Sequence, residues 1–508
     1  MSVYVLGIDL GTSGCKMVLA DEKLNIVHSS LIGYPLDSPK PGWYEQDTGL
    51  WWDAVKKGIK SITSKVDDIN KIKAIGFSGQ MHGLVAVNKD MTAVRPCMIW
   101  ADFRNETQCD QIYDMVGGEK ALLKLTNNKM LTAYTGGKIL WMMQNEPELF
   151  DQTVCVINPK DYIRLCLTGE LATDMSDASG TGLLDVKHRS WCYELTDKIG
   201  IPRRILPKIY ESNEIAGYVK PEVARELGLP ENLPVAAGGG DAIVQTTGTG
   251  VIRQGVFNTT IGTGGIVATS LDKFCENADG NLQIFCNNVP GKWHAMGVML
   301  GAGGALKWIK EILCISEIET AKLTGRNVYD LMTEEAAGVE PGAEGLLFLP
   351  FLLGQRCPYA DAKSRAAFIG LTPRHDKRHL IRSLMEGVVL SLKDMSDLIV
   401  KLGTDLTQIR ASGGGSSSAL WRQMQADIFN ADVFTMNNSA DGGALGAAIL
   451  GGLSVGVWDN IEEAAALLEI ETTTYANKCG IGQYEKLLDA YKKIYPGLKP
   501  VFDSIVTL

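Results

Sequence analysis

The sequence has no excess of positive charge, no paired-cysteine motif and no long unbroken apolar run, and each absence removes a class of function. Lys and Arg number 49 against 59 Asp and Glu, a formal net charge of -10. No continuous basic stripe is available to neutralise a phosphate backbone, which argues against nucleic acid as a partner. Eleven cysteines are scattered along the chain without a Cys-x-x-Cys pair. Neighbours such as Cys155 and Cys166 are too far apart for a zinc knuckle, so reduced thiols in a cytoplasmic protein are expected. The opening segment lacks the basic start of a secretion signal and meets an acid at Asp9, as a strand would. Residues 442–458 are apolar but glycine-rich and bounded by Asp441 and Asp459, a pattern for a buried helix of small residues rather than a membrane span. Also missing are the Gly-x-x-x-x-Gly-Lys-Ser/Thr phosphate loop and a Gly-x-Gly-x-x-Gly fingerprint with its acidic partner, which excludes P-loop and Rossmann readings.

What is present is a 508-residue chain that is 45% apolar and 21% charged, long enough for two large domains. Short apolar runs alternate with helical patterns, the signature of layered α/β architecture. Residues 3–8 and 15–20 flank Gly11-Thr12-Ser13-Gly14 and read as a hairpin with a turn rich in glycine and hydroxyls. Residues 256–261 and 266–269 flank Gly262-Thr263-Gly264-Gly265 and repeat that plan. Two halves that open alike predict a duplicated domain with a cleft between the copies, divided as residues 1–245 and 246–508. No low-complexity linker separates them, so a short hinge and a closing cleft are expected.

Turns of this kind suit phosphate, because phosphoryl transfer relies on backbone N–H donors, a cation, a metal and an acceptor for the proton of the attacking hydroxyl. Gly11, Gly14, Thr12, Ser13 and Lys16 can serve from one side, and Gly262-Thr263-Gly264 from the other. Asp241 ends a strand on the loop Gly238-Gly239-Gly240, where a carboxylate can act as general base; the same position suits a cap for the helix that follows. Asp9 precedes the first turn and could hold Mg²⁺, or simply shape the turn. His82 stands in Gly79-Gln80-Met81-His82-Gly83, where the glycines permit close approach by a ligand. His375 and His379 have the spacing of a metal pair, but among Arg374, Lys377 and Arg378 they read as a solvated helix start.

Together, Asp9-Leu10-Gly11-Thr12-Ser13-Gly14, Ser78-Gly79-Gln80-Met81-His82-Gly83, Trp100-Ala101-Asp102-Phe103-Arg104, Pro159-Lys160-Asp161-Tyr162, Ser176-Asp177-Ala178-Ser179-Gly180-Thr181, Gly239-Gly240-Asp241 and Gly413-Gly414-Gly415 resemble the FGGY carbohydrate kinases, in order and spacing over nearly the whole chain. Within that family the Gln80-Met81-His82-Gly83 loop is most similar to the xylulose-phosphorylating members. The resemblance implies two ribonuclease H-like (actin-like ATPase) domains, with sugar in the cleft and ATP mainly on the second domain. It implies Asp241 as the base, Asp9 as the Mg²⁺-organising acid, and Met81, His82, Asp102 and Arg104 around the sugar. Thr12, Ser13 and Lys16 would face the transferred phosphate, and Gly262, Thr263, Gly303, Lys307, Gly414 and Ser418 the nucleotide. The expected partners are a small sugar and ATP, with no membrane, and with room for a homodimer. Two departures stand out. Ala242 replaces an asparagine usual after the base, which opens the choice of sugar to another ketose or a polyol. Gln355 stands in Gly354-Gln355-Arg356-Cys357-Pro358-Tyr359 where a glutamate is commoner. Retention of Asp9, Lys16 and Asp241 argues against a non-catalytic sugar sensor on the same scaffold.

Overall fold

Two seven-stranded sheets form the frame, and both follow one pairing plan. The computed structural model of the chain describes residues 3–477 and 481–505, without the side chain of Ile481. In the first sheet β1 (Tyr4–Leu10) pairs antiparallel with β2 (Gly14–Asp21), which pairs antiparallel with β3 (Ile26–Gly33). On its other side β1 runs parallel to β4 (Ile72–Gly79). There β5 (Ile215–Tyr218) forms the edge, antiparallel to β6 (Pro234–Ala236), which is parallel to β4; the two-residue β7 (Gly239–Gly240) prolongs the pairing of β4.

The second sheet repeats that order over six strands and adds one at its edge. Strand β8 (Val256–Ile261) is antiparallel to β9 (Gly265–Leu271), and β10 (Gln283–Cys286) edges the sheet against β11 (Trp293–Met299), the antiparallel neighbour of β9. On the other side β12 (Gln408–Ser412) and β13 (Asp432–Met436) run parallel, and β14 (Ile470–Thr474) closes that edge antiparallel. The duplication expected from two Gly-Thr turns is thus a duplication of whole sheets, and the α/β fold of two ribonuclease H-like units holds.

Helices cover the sheets because the central strands are apolar on both faces. Val5, Leu6, Ile8 and Leu10 of β1 are fully buried. Helices α1 (Thr48–Thr63) and α2 (Pro159–Thr168) cover one face of the first sheet, burying Trp51, Ile59 and Ile163 against Phe77. Helix α3 (Asp241–Gly248) follows β7 directly. In the second half α4 (Gly303–Leu313) and α5 (Lys377–Val400) pack together, with α5 also against β9 and β11. Helix α6 (Gly442–Ser454), the expected buried helix of small residues, crosses back to lie on β1, β4 and α3.

That crossing depends on glycine. A Cβ at Gly7 would stand 1.9 Å from the Ala444 carbonyl oxygen, and one at Gly76 would stand 1.8 Å from that of Ala447. Backbone meets backbone there, so no rotamer change can make room. We expect Gly76→Ala to destabilise the fold by roughly 3 kcal/mol, the upper range of an overpacked core; a denaturation midpoint within error of wild type would contradict this.

Helix α7 (Ile481–Ile505) packs on α5, where Tyr484 Oη donates to Glu386 Oε1 at 2.8 Å and Lys492 meets Asp397 at 2.6 Å. His375 and His379 flank the start of α5, with His379 and Asp376 in a capping box, although His379 is buried rather than solvated. No group of three or more His, Cys, Asp or Glu among the described residues is placed to hold a metal. No described helix is long and apolar enough to cross a membrane. Ten described cysteines are free, and Cys479 lies outside the described residues.

Candidate active site

Strand pairing brings two acids to one place. Asp9, near the end of β1, sits in register between Lys16 on β2 and Ser78 on β4. The glycines of β7 pair with Ser78 and Gly79, so Asp241 emerges beside the same strand end. Asp9 Oδ1 is buried and has no hydrogen-bond partner. Burial raises its carboxyl above the usual range, opposed by the Ser78 hydroxyl. Gly443, in the first turn of α6, lies under it: a Cβ at 443 would come 2.4 Å from Asp9 Oδ2.

Asp241 opens α3, and its Oδ1 accepts from the Ala242 N–H at 2.8 Å. Burial first, and then the nearby Asp9 charge, push the Asp241 carboxyl up to about 7. The strand end that presents it is tied from behind. Ser176 Oγ accepts from Gly240 N–H at 3.0 Å and donates to Asp174 Oδ2 at 2.6 Å. Asp174 belongs to a wholly buried ionic cluster, in which Lys160 meets Asp161 at 2.6 Å, Asp174 at 2.8 Å and Asp177 at 3.3 Å, while Arg164 meets Asp161 at 3.0 Å. Burial raises the Asp177 carboxyl well above its usual value, opposed by Lys160.

Met81 and His82 follow β4. His82 takes a left-handed backbone (φ 72°), uncommon for a residue with a side chain. Its Nδ1 donates to the Gly180 carbonyl at 2.6 Å, and burial pulls its pKa down to about 3. The ring is therefore neutral, with the proton on Nδ1 and Nε2 left as an acceptor. Thr135 Oγ1 and Lys138 Nζ hold the His82 carbonyl at 3.1 and 3.0 Å. Asp102 and Arg104 are in the scaffold. Asp102 is fully buried and accepts from Tyr44 N–H at 2.7 Å and from Arg104 N–H, Nε and Nη2. The Arg104 guanidinium lies 3.7 Å from the Trp43 ring centre.

The first turn is more occupied than its sequence suggests. Thr12 Oγ1 accepts from Trp100 Nε1 at 2.9 Å and donates to Gln80 Oε1 at 3.3 Å. Gln80 Nε2 in turn donates to Gln46 Oε1, and Gln46 Nε2 to the Thr12 carbonyl, both at 2.7 Å. Lys16 pairs with Asp441 at 2.7 Å, while Ser13 is exposed at the tip. In the second half, Gly262, Thr263, Gly303, Lys307, Gly414 and Ser418 all line one cavity of about 470 Å³. Its floor is stitched by Gly303 N–H to the Gly262 carbonyl at 2.7 Å and Gly304 N–H to that of Thr263 at 3.0 Å. Ser418 Oγ also caps the following helix through Trp421 N–H at 3.3 Å. Neither Asp9 nor Asp241 lines this cavity.

Residues 4–248 match the N-terminal domain of the FGGY family of carbohydrate kinases, and residues 257–455 match its C-terminal domain. The chain belongs to the FGGY carbohydrate kinases. It is 35% identical over 508 residues to a xylulose kinase of Lactococcus lactis, covering 99% of this chain and 98% of that one. Among solved structures it is similar to a ligand-bound xylulose kinase of Lactobacillus acidophilus (TM-score 0.91, 28% identity, 99% of each chain). It is equally similar to a gluconate kinase of that organism (TM-score 0.91, 29% identity, 99% of this chain and 100% of that one).

As an FGGY kinase it carries features that sequence reasoning left without a role. The Gln46–Gln80–Thr12 network and the Ser176 tie to Gly240 are tertiary, and only the presence of Gln80 and Ser176 inside quoted motifs pointed to them. Asp441 and Gly443 reach Lys16 and Asp9 from the second half of this FGGY kinase, because α6 crosses to the first sheet.

Proposed function

We propose that this FGGY kinase transfers the γ-phosphoryl group of ATP to D-xylulose, giving D-xylulose 5-phosphate and ADP, with residues 1–245 as the sugar-binding domain and 246–508 as the nucleotide-binding domain. The observation that carries the mechanism is Asp241: a half-buried carboxyl, raised to about 7, beside Asp9 and Met81. A base near neutrality suits removal of a hydroxyl proton as phosphoryl transfer proceeds. Met81 and the Nε2 acceptor of His82 orient the sugar so that its terminal hydroxyl faces Asp241. The cavity at Gly262, Thr263, Gly303, Lys307, Gly414 and Ser418 takes the nucleotide. Thr12, Ser13 and Lys16 face the transferred phosphate, for which Lys16 exchanges Asp441 for phosphate oxygen. Asp9 Oδ1, buried without a partner, suits Mg²⁺, a hard cation that takes one or two carboxylates and otherwise phosphate and water oxygens. When bound, that ion neutralises charge on the phosphates.

Two measurements test this reading. Over a panel of pentuloses and sugar alcohols, coupled ADP release is expected to give the highest kcat/KM on D-xylulose; turnover of D-ribulose with none of D-xylulose would reject it. The second is pH. Asp241 works only when deprotonated, so kcat/KM is expected to rise through a midpoint near about 7, and a flat profile between about pH 5 and 8 would remove it as the base. One feature favours a second reading, a kinase for another ketose or polyol: Ala242 offers no amide to a sugar hydroxyl.

A further inference from the structure

The helix Thr135–Asn145 carries in its first turns a cation that the reaction above leaves without a part. Lys138 is fully buried, and burial pulls its pKa down to about 8. Nothing about that position suits an ammonium. It loses its hydration in the interior, and the start of a helix is the positive end of the backbone dipole. Lys138 has no carboxylate partner among the described residues; Asp102, whose charge acts on it, already accepts from Tyr44 N–H and from Arg104.

What Lys138 holds instead is backbone. Its Nζ donates to the His82 carbonyl at 3.0 Å and to the Ala133 carbonyl at 2.5 Å. Thr135 Oγ1, one turn earlier on the same helix, donates to the same His82 carbonyl at 3.1 Å. His82 needs such an anchor, because its left-handed backbone (φ 72°) is disfavoured for any residue with a Cβ. Two donors on one carbonyl pin the peptide that follows, and Asn158 Nδ2 holds the next carbonyl, that of Gly83, at 3.2 Å. The ring is gripped from its other end. A Cβ at Gly180 would stand 2.8 Å from His82 Nδ1, so the hydrogen bond from that nitrogen to the Gly180 carbonyl depends on glycine. The charges of Lys138 and Arg356 oppose protonation of the ring, after burial.

We propose that Lys138 is a positioning residue of the sugar site: through the His82 carbonyl its ammonium aims the imidazole and keeps Nε2 free to accept from a sugar hydroxyl, so that Lys138 governs sugar affinity without touching the sugar. A cation is retained there because it does two things at once. It ties two carbonyls together, and its charge opposes a second proton on the ring. Thr135 supplies the anchor without the charge. The inference rests on the assignment of His82 to the sugar site.

The test uses the full chain with ATP and Mg²⁺ and with D-xylulose as probe, D-ribulose taking its place should D-xylulose not be turned over. Lys138→Met, Thr135→Val, His82→Ala and the double variant Lys138→Met/His82→Ala are compared with wild type, each checked for folding by thermal denaturation. Lys138→Met is expected to raise KM for the sugar roughly 10-fold, the upper worth of one neutral hydrogen bond, with kcat and KM for ATP nearly unchanged. In the His82→Ala background the same substitution is expected to add little, because the ring through which Lys138 acts is gone. A loss in kcat with KM unchanged, or additive losses in the double variant, would overturn the inference and leave His82 in the sugar site. Unchanged KM in His82→Ala would instead remove His82 from that site, and the inference with it. If Lys138→Met does not fold, Thr135→Val decides: KM is expected to rise about 3-fold, the lower worth of such a bond, and wild-type KM would overturn the inference. If neither sugar is turned over, the ¹⁵N spectrum of histidine-labelled protein decides, with the His82 signals assigned by their loss in His82→Ala. Wild type is expected to show the proton on Nδ1 and Lys138→Met a mixture of tautomers; an unaltered tautomer would overturn the role of Lys138.

Discussion

Asp241→Asn is expected to lower kcat by roughly 10²–10⁴-fold, the range for loss of a general base, while nucleotide binding and the fold persist. The amide keeps the shape of the side chain and can still accept from the Ala242 N–H, so α3 begins as before. What disappears is the place for the proton. The same substitution carries a sign in stability that a merely structural role would not give. The folded-state carboxyl titrates at about 7, above its usual 3.8, so folding favours its protonated form. Its favourable contribution is present below about pH 4 and is lost as pH rises through about 7. Asp241→Asn is therefore expected to raise Tm at pH 8 and to leave it nearly unchanged at pH 4. Lower Tm at pH 8, or turnover near wild type, would take Asp241 out of this role.

Lys160→Ala is expected to destabilise the protein by about 3–5 kcal/mol, because removing one partner of a buried ionic group leaves uncompensated charge in the interior. Of its three acids, only Asp161 also meets Arg164 among the described residues. Burial by itself would lower the pKa of Lys160, yet the three carboxylates hold it above its usual value. The loss reaches the active site through Asp174, whose contact with Ser176 fixes Gly240 next to Asp241. Urea denaturation gives the stability change directly, and a midpoint equal to wild type would show that the cluster carries no net stabilisation.

The frame was readable from sequence wherever one segment decides its own structure. The runs flanking Gly11-Thr12-Ser13-Gly14 and Gly262-Thr263-Gly264-Gly265 alternate and turn within a few residues, so β1, β2, β8 and β9 follow from local chemistry. The small-residue stretch that became α6 was also readable as a buried helix, but its destination was not: it is set by tertiary fit, in part by the bare backbones at Gly7 and Gly76. The same limit applies to side chains. Asp9 and Asp241 could be singled out because glycines leave them little to pack against. Thr12 looked free for phosphate, yet Trp100 and Gln80 already engage it, and Lys16 found Asp441 from the distant end of the chain. Asp102 and Arg104 pair with one another, with Glu45 also on Arg104, an arrangement that no spacing rule separates from two residues open to a sugar.

The most direct test is a crystal structure of the ternary complex with D-xylulose and a non-hydrolysable ATP analogue. The account predicts the terminal hydroxyl of the sugar about 3 Å from an Asp241 carboxylate oxygen, within hydrogen-bond reach, with the γ-phosphate on the far side of that hydroxyl. Sugar bound away from residue 241, or that carboxyl turned from the nucleotide, would contradict it.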